Sequence, residues 1–145
     1  MIAVVDASIA PKWFLQDEPG AEQARAIVAA GMTLIAPDLV IAEVCNAAWR
    51  AARLGRLSRE QVGEIAATLP QFFELLSGMA QLAPRAVAIA AEIDHPVYDC
   101  LYVALAEAQQ AQLVTADAAL LRKLSGTRWH DRAVSLTNFR PEPSP

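Results

Sequence analysis

The chain has 145 residues, of which 54% are hydrophobic and 19% are charged, and its formal net charge at pH 7 is -4. This length fits one domain with one hydrophobic core. The acidic balance argues against binding to nucleic acid through overall charge and leaves only a local basic patch. Charge or proline interrupts every apolar run before the roughly 18 to 20 residues of a membrane span, so we expect no transmembrane helix.

The chain opens on strand-forming residues rather than on the basic and apolar regions of a signal peptide, and we therefore expect a cytoplasmic protein. Cys45 and Cys100 lie far apart in apolar surroundings and form no Cys-x-x-Cys pair. We interpret both as small hydrophobic residues of the interior.

Strands and helices are predicted to alternate along the chain. The predicted strands cover residues 2–6, 33–36, 113–115 and 133–136. Helices are predicted at residues 9–15, 21–30, 37–54, from 58 onward, 84–93, 97–110 and 118–124. This order indicates an α/β layered sandwich with a mainly parallel sheet.

Local signals mark several helix ends. Ser8 is predicted to be an N-cap, with Pro11 in the first turn, where a missing N–H costs nothing. Gly31 is a natural C-cap, and Ser58-Arg-Glu-Gln61 is a capping box. Pro84 is predicted to open its helix.

Two stretches are less regular. Residues 70–82 are compatible with the tail of a helix or with a short edge strand, because an apolar run of this length has no decisive period. Residues 140–145, rich in proline, are expected to be a loose end of a single domain that covers residues 1–139.

Four acids, Asp6, Glu43, Asp99 and Asp117, lie at the edges of apolar segments. Asp6 and Asp117 end predicted strands, and a parallel α/β sheet binds its ligands at the carboxyl ends of its strands. We therefore expect these two acids to converge there, with Glu43 and Asp99 reaching the same crevice from helices.

Four ionised carboxylates need compensation to share a crevice, since two of them about 4 Å apart repel by roughly 4 kcal/mol at an effective dielectric of 20. Oxygen ligands without clustered His or Cys suit Mg²⁺ or Mn²⁺ rather than zinc. Such an ion can activate a bound water toward a phosphodiester. The acids therefore predict a metal site and hydrolysis of a nucleic-acid backbone.

Three polar residues are candidates for supporting roles. Ser8 and Thr115 are predicted to hydrogen-bond a metal-bound water or the scissile phosphate. Asn46, three residues after Glu43 on the same helical face, is predicted to hold that carboxylate.

Each acid also has a purely structural interpretation. Asp6 and Asp117 can cap the helices that follow them, Asp99 can be a first-turn acid favoured by the helix dipole, and Glu43 can be a solvated helix position.

The segments Val4-Val-Asp-Ala-Ser8, Glu43-Val-Cys-Asn46, Tyr98-Asp-Cys-Leu-Tyr102 and Leu113-Val-Thr-Ala-Asp117 occur in the order found in PIN domains. The chain resembles the PIN-domain family, and within it the VapC-like toxins of bacterial toxin–antitoxin modules. The resemblance implies a three-layer α/β/α sandwich and a Mg²⁺- or Mn²⁺-dependent ribonuclease. It also implies that the four acids form the metal-binding catalytic quartet, that the protein dimerises through its early helices, and that a VapB-like antitoxin inhibits it.

Basic residues are candidate contacts for RNA, although a solvated helix face explains each of them equally simply. They are Lys12, Arg50, Arg53, Arg56, Arg59, Arg122 and Lys123. The aromatic residues Trp13, Phe14 and Trp49 are interpreted as core or as part of an antitoxin-binding surface. The two histidines are too isolated in sequence for a nucleophilic or zinc site, and His95 is interpreted as a loop residue.

The sequence has three alternative interpretations. A haloacid-dehalogenase-like phosphatase needs a second acid two residues after Asp6, where Ser8 stands, and a receiver domain has no place for Glu43. A PIN-like module that binds RNA or protein without cleaving it remains compatible with the sequence.

Overall fold

The computed structural model describes residues 1–142. Its centre is one sheet of five strands with the order β3-β2-β1-β4-β5, and each pair of neighbours is parallel. The strands are β1 (Ile2–Val5), β2 (Thr33–Pro37), β3 (Leu75–Ser77), β4 (Gln112–Thr115) and β5 (Ala133–Ser135). The expected parallel sheet is therefore confirmed.

Helices flank the sheet and complete the expected three-layer α/β/α sandwich. They are α1 (Ala21–Ala29), α2 (Leu39–Arg53), α3 (Arg59–Thr68), α4 (Met79–Ile93), α5 (Val97–Gln109) and α6 (Ala118–Leu124). α5 packs against the three central strands, and α4 packs against α5. This arrangement explains why seven consecutive residues of α5, Cys100 to Ala106, are buried.

The central strands are apolar on both faces because helices cover both faces. Ala3, Val4 and Val5 of β1 are each 0% exposed, as are Leu113 and Val114 of β4. Because of this packing, a polar residue that follows a strand must either lie at the edge of the sheet or have a partner that offsets the cost of its burial.

Several predicted helix ends are confirmed. Gly31 and Gly55 adopt the positive φ angles of 67° and 75° that follow a helix end. Ser58 Oγ accepts from Gln61 N over 3.1 Å, and Gln61 Oε1 accepts from Ser58 N over 2.8 Å, which completes the capping box.

The segment around residues 70–82 resolves into a 3-10 helix (Leu69–Phe72) followed by the edge strand β3. The prediction that Pro84 opens its helix is wrong, because α4 begins five residues earlier, at Met79. Pro84 lies in the second turn and removes one hydrogen bond, to the carbonyl of Ala80. Leu82, which precedes Pro84 in α4, is only 6% exposed, so the beginning of the helix is also packed. This packing offsets the missing hydrogen bond.

Other expectations also change. The predicted helix over residues 9–15 is a single 3-10 helix, Ala10–Trp13. Cys100 is buried as expected, whereas Cys45 is only half-buried. Within residues 1–142 no helix is long and apolar enough to cross a membrane. Of the predicted loose end, residues 143–145 lie outside the described residues, and Arg140 donates to the carbonyl of Thr137 over 2.7 Å.

Candidate functional site

The predicted acids lie around the carboxyl ends of β1 and β4. The chain leaves β1 toward β2 on one side of the sheet and only later adds β4 on the other side. The order of the strands therefore reverses between β1 and β4, and such a point is where open α/β sheets bind their ligands. Asp6 follows β1 directly, and Thr115 is the last residue of β4.

Asp6 is a buried carboxylate, only 3% exposed. Its Oδ2 accepts from Ser8 Oγ and from Thr115 Oγ1, both over 2.7 Å. Burial raises the pKa of Asp6, the two hydroxyl donors oppose that rise, and the negative charge of Asp99 adds to it. The site therefore holds a carboxylate whose ionisation is disfavoured until positive charge arrives.

Ser8 does not cap a helix, and that prediction is wrong. The 3-10 helix after it begins without a side-chain cap, because the hydroxyl of Ser8 is engaged with the sheet. Ser8 Oγ accepts from Ala116 N over 2.9 Å, while Thr115 Oγ1 accepts from Asp117 N over 3.0 Å. The two hydroxyls thus tie the end of β1 to the end of β4.

Glu43 lies in the second turn of α2 and is half-buried. Burial raises its pKa, and the charges of Asp6 and Asp99 raise it further, against the hydrogen bond from Tyr102. Tyr102 OH donates to Glu43 Oε1 over 2.9 Å. Asn46, predicted to hold Glu43, is exposed and has no hydrogen bond to it.

Asp99 and Asp117 meet a third residue, His95. One donor atom from each of the three side chains lies within 4.8 Å of the other two, and no other such group of three occurs within residues 1–142. His95 Nε2 is 2.6 Å from Asp99 Oδ2. The quartet is therefore divided, with Asp99 and Asp117 in this group and Asp6 and Glu43 coupled to Asp99 through charge.

Asp117 also has the structural role that the sequence allowed. Its Oδ1 accepts from Ala119 N over 2.9 Å and from Leu120 N over 3.2 Å, so it caps α6. Its Oδ2 makes no hydrogen bond with the described part of the chain. Capping therefore occupies only one oxygen of this side chain.

Sequence reasoning missed His95 and Tyr102. His95 lies in a loop, as predicted, but it is not isolated, since its side chain is only 9% exposed and pairs with Asp99. The usable signal was that His95 lies just before the helix that carries Asp99 in its first turn, four residues earlier in the chain. Tyr102 lies three residues after Asp99 and is 0% exposed.

The predicted basic residues lie in several separate places rather than in one patch. Lys12 and Arg50 line a cavity of about 420 Å³ that also reaches Ser8, although Lys12 Nζ donates to the carbonyl of Pro19 over 2.8 Å. Arg122 lines a different cavity, beside β5. Arg53 and Lys123 are exposed on α2 and α6, respectively.

The aromatic residues also differ from the expected core. Trp13 is buried and stacks on Phe72 with 4.9 Å between ring centroids, and Phe14 is half-buried. Trp49, on α2, is 46% exposed. The interpretation of Trp49 as core is therefore wrong.

The carboxylate donors fit a hard divalent cation, whereas the premise that no histidine clusters with them is wrong, since His95 lies in the same group as Asp99 and Asp117. Three carboxylates are coupled by charge, a fourth lies within 4.8 Å of Asp99, and burial opposes the ionisation of Asp6 and Glu43. Carboxylate oxygens are the ligands that Mg²⁺ and Mn²⁺ prefer.

Fold and site together define a class. Residues 3–125 match the PIN domain model, and the chain belongs to the PIN-domain family. A curated relative is ribonuclease VapC3 of Pyrobaculum aerophilum, 35% identical over 125 residues that span 85% of this chain and 95% of the relative. The crystal structure of PAE2754 from Pyrobaculum aerophilum is similar with a TM-score of 0.67 and 26% identity, covering 94% of this chain and 90% of that one.

Two more distant structures share the fold. A toxin-antitoxin complex from Klebsiella pneumoniae contains a chain with a TM-score of 0.64 and 20% identity, covering 92% of this chain and 97% of its own. VapBC2 from Rickettsia felis, bound to a DNA fragment from its promoter, gives a TM-score of 0.63 and 13% identity, covering 93% and 98%.

Proposed function

We propose that this protein is a Mg²⁺- or Mn²⁺-dependent endoribonuclease that acts as the toxin of a toxin–antitoxin module. The observation that carries the proposal is that Asp99 links the acids near the ends of β1 and β4: Asp6 and Glu43 are coupled to it by charge, and Asp117 has a ligand atom within 4.8 Å of it. The name of the relative ribonuclease VapC3 supports the activity.

The acids Asp6, Glu43, Asp99 and Asp117 would hold the cation. When bound, the ion supplies Lewis-acid stabilisation of the phosphorus centre and a water nucleophile at neutral pH. The surrounding residues maintain the donors, since Ser8 and Thr115 fix Asp6 through its Oδ2.

Attack by water at phosphorus breaks the bond to the 3′ oxygen of the preceding nucleotide. The products are then a 3′-hydroxyl and a 5′-phosphate. A 2′,3′-cyclic phosphate would instead require attack by the ribose 2′ oxygen, for which this proposal has no role.

The RNA backbone would lie against the cavity that reaches Ser8. Lys12 and Arg50 line that cavity, and in this proposal they neutralise phosphates. Arg53 extends the same face of α2, whereas Arg122 and Lys123 would contact RNA only where it continues past α6. The net charge of -4 makes such a local patch necessary.

The toxin role rests on the resemblance of the motifs to VapC-like toxins. A VapB-like antitoxin would occupy the acidic site with a basic or aromatic side chain, and the exposed Trp49 is an apolar contact for it. We also propose that the protein forms a homodimer through its early helices and that it acts in the cytoplasm, where its RNA substrate is found.

The test is cleavage of a defined RNA by purified protein. We expect cleavage with Mg²⁺ or Mn²⁺, its loss in EDTA, and its recovery when the ion is restored. Asp99→Asn should abolish cleavage while the protein stays folded, and Asp131→Asn, an exposed acid after α6, is the matched control. Sequencing of the cut ends should give 3′-hydroxyl and 5′-phosphate termini, and cyclic phosphates would contradict the mechanism.

The alternative, a module that binds RNA or protein without cleavage, predicts binding that is unchanged by EDTA and no cut ends with either ion. The toxin role has its own test, because induction of the chain should arrest growth and Asp99→Asn should not. The product of an adjacent short reading frame should restore growth if it is the antitoxin.

A further inference from the structure

His95 occupies a fixed turn between α4 and α5. Asp94 ends α4 in the left-handed conformation, with φ of 53°, and Pro96 precedes the first residue of α5 with φ of −55°. These two residues constrain the backbone on both sides of His95. The backbone of this turn is therefore restricted, which fixes the position from which the His95 side chain extends.

The His95 side chain is 9% exposed, whereas the Asp99 side chain is 25% exposed. His95 Nε2 lies 2.6 Å from Asp99 Oδ2, within the range of a charge-assisted hydrogen bond. A carboxylate can only accept, so in a His95–carboxylate hydrogen bond Nε2 is the atom that would carry the hydrogen and donate it. Oδ1 of Asp99 makes no hydrogen bond with any described residue.

Asp117 belongs to the same arrangement, since a donor atom of its side chain lies within 4.8 Å of both His95 and Asp99. The imidazole thus stands beside two of the four acids that the proposed function assigns to the cation. Neither ring nitrogen contacts Asp6 or Glu43.

We propose that His95 is a positioning residue for metal binding, which holds Asp99 by donating from Nε2 to Oδ2 and leaves the other carboxylate oxygen for the cation. The inference rests on the proposed function and deepens it. Residues that fix metal-binding carboxylates in this way contribute about 10- to 100-fold to metal affinity.

The experiment measures Mn²⁺ binding through the loss of the free-ion EPR signal, in the absence of RNA. His95→Ala removes the donor, whereas His95→Gln keeps an N–H donor near the position of Nε2. We expect the Mn²⁺ dissociation constant to rise about 10- to 100-fold in His95→Ala and to stay within about threefold of wild type in His95→Gln. His130→Ala, at an exposed histidine, is the control.

Unchanged Mn²⁺ affinity in a folded His95→Ala protein would overturn the inference. A His95→Gln protein as weak as His95→Ala would also overturn it, because the imidazole would then be acting as a ligand rather than as a donor. If the wild type binds no Mn²⁺, the proposed function itself fails. If the wild type binds Mn²⁺ and a folded His95→Ala protein binds it equally well, only this inference fails, so the two failures are distinguishable.

A second measurement covers the case in which His95→Ala does not fold. In wild-type protein with ¹⁵N-labelled histidine, NMR reports which ring nitrogen carries the hydrogen. We expect Nε2 of His95 to keep its hydrogen when Mg²⁺ is added. Loss of that hydrogen on Mg²⁺ binding would identify a direct ligand and overturn the positioning role.

Discussion

The phenolic hydroxyl of Tyr102 donates a hydrogen bond to Oε1 of Glu43 over 2.9 Å, although the two residues are 59 positions apart in the chain. Tyr102 is 0% exposed, and burial together with the charges of Glu43 and Asp6 raises its pKa strongly, so it remains a donor. The bond fixes the acid of α2 to α5.

Replacing Tyr102 with Phe should keep the fold and weaken the site. We expect cleavage to fall about tenfold and the free energy of unfolding to fall by about 1 kcal/mol, because Glu43 loses its donor. Tyr98→Phe, at a residue of α5 that is 67% exposed, is the control and should change neither quantity. If Tyr102→Phe cleaved RNA at the wild-type rate, the hydrogen bond from Tyr102 to Glu43 would not be needed for activity.

The buried Asp6 should make the metal-free protein less stable as pH rises. Its pKa is raised in the folded state, chiefly by burial, so its favourable contribution is present at low pH and is lost as pH rises through the folded pKa. Asp6→Asn is neutral at every pH. In EDTA, the wild type should therefore lose stability relative to Asp6→Asn as pH rises above the ordinary aspartate pKa of 3.8, by about 1.4 kcal/mol in total for each unit by which the pKa is raised.

Urea unfolding over a series of pH values measures this difference, and Asp131→Asn is the control for an exposed acid. Saturating Mg²⁺ should stabilise the wild type and reduce the pH dependence. A difference between wild type and Asp6→Asn that does not vary with pH would contradict the prediction.

The contribution of Thr115 to the free energy of unfolding should come from its hydroxyl more than from the volume of its side chain. Thr115 is 0% exposed, and Oγ1 both donates to Asp6 and accepts from Asp117 N. Thr115→Val keeps the shape, removes one of the two hydroxyl donors to Asp6 and leaves Asp117 N without its acceptor, so we expect the free energy of unfolding to fall by about 1–3 kcal/mol. Thr115→Ser keeps the hydroxyl, and an equal loss in Thr115→Ser and Thr115→Val would assign the effect to packing instead.

Away from the site, Glu107 joins α5 to the segment after α6. It accepts from Arg85 Nε over 2.6 Å, from Arg85 Nη2 over 3.0 Å and from Trp129 Nε1 over 2.8 Å. The Arg85 hydrogen bond, with help from Trp129, lowers the pKa of Glu107 to about 2. Its stabilising effect is therefore present above the ordinary glutamate pKa and is lost as pH falls from about 4.5 toward 2.

Glu107→Gln should lower the free energy of unfolding at pH 7 by about 1–2 kcal/mol, a modest value because Arg85 is partly solvated. The deficit should shrink as the pH is lowered toward 2. Glu92→Gln, which breaks the exposed pair with Arg128, should cost no more than about 0.5 kcal/mol. Equal losses in the two variants, measured by urea unfolding, would contradict the prediction.

Most of the fold could be predicted because strands and helix ends are local. The helix over residues 118–124 was predicted with the bounds that α6 has, and the capping box at Ser58 depends on residues three apart. The start of α4 was predicted wrongly, because Pro84 is a strong local signal whose cost is offset by packing against α5. The 3-10 helix Ala10–Trp13 was predicted as a longer helix over residues 9–15 with Ser8 as its N-cap. Ser8 instead bonds to the sheet, so the longer helix lacks that cap.

By itself the sequence determined that Asp6 and Asp117 stand at the carboxyl ends of buried parallel strands, because an apolar run followed by an acid is a local pattern and the pairing of such strands is regular. The tertiary structure alone decided which groups compensate the acids. Tyr102 rather than Asn46 reaches Glu43, and His95 reaches Asp99, since a hydrogen bond needs placement to a few tenths of an ångström, which only the packing of α5 on the sheet fixes.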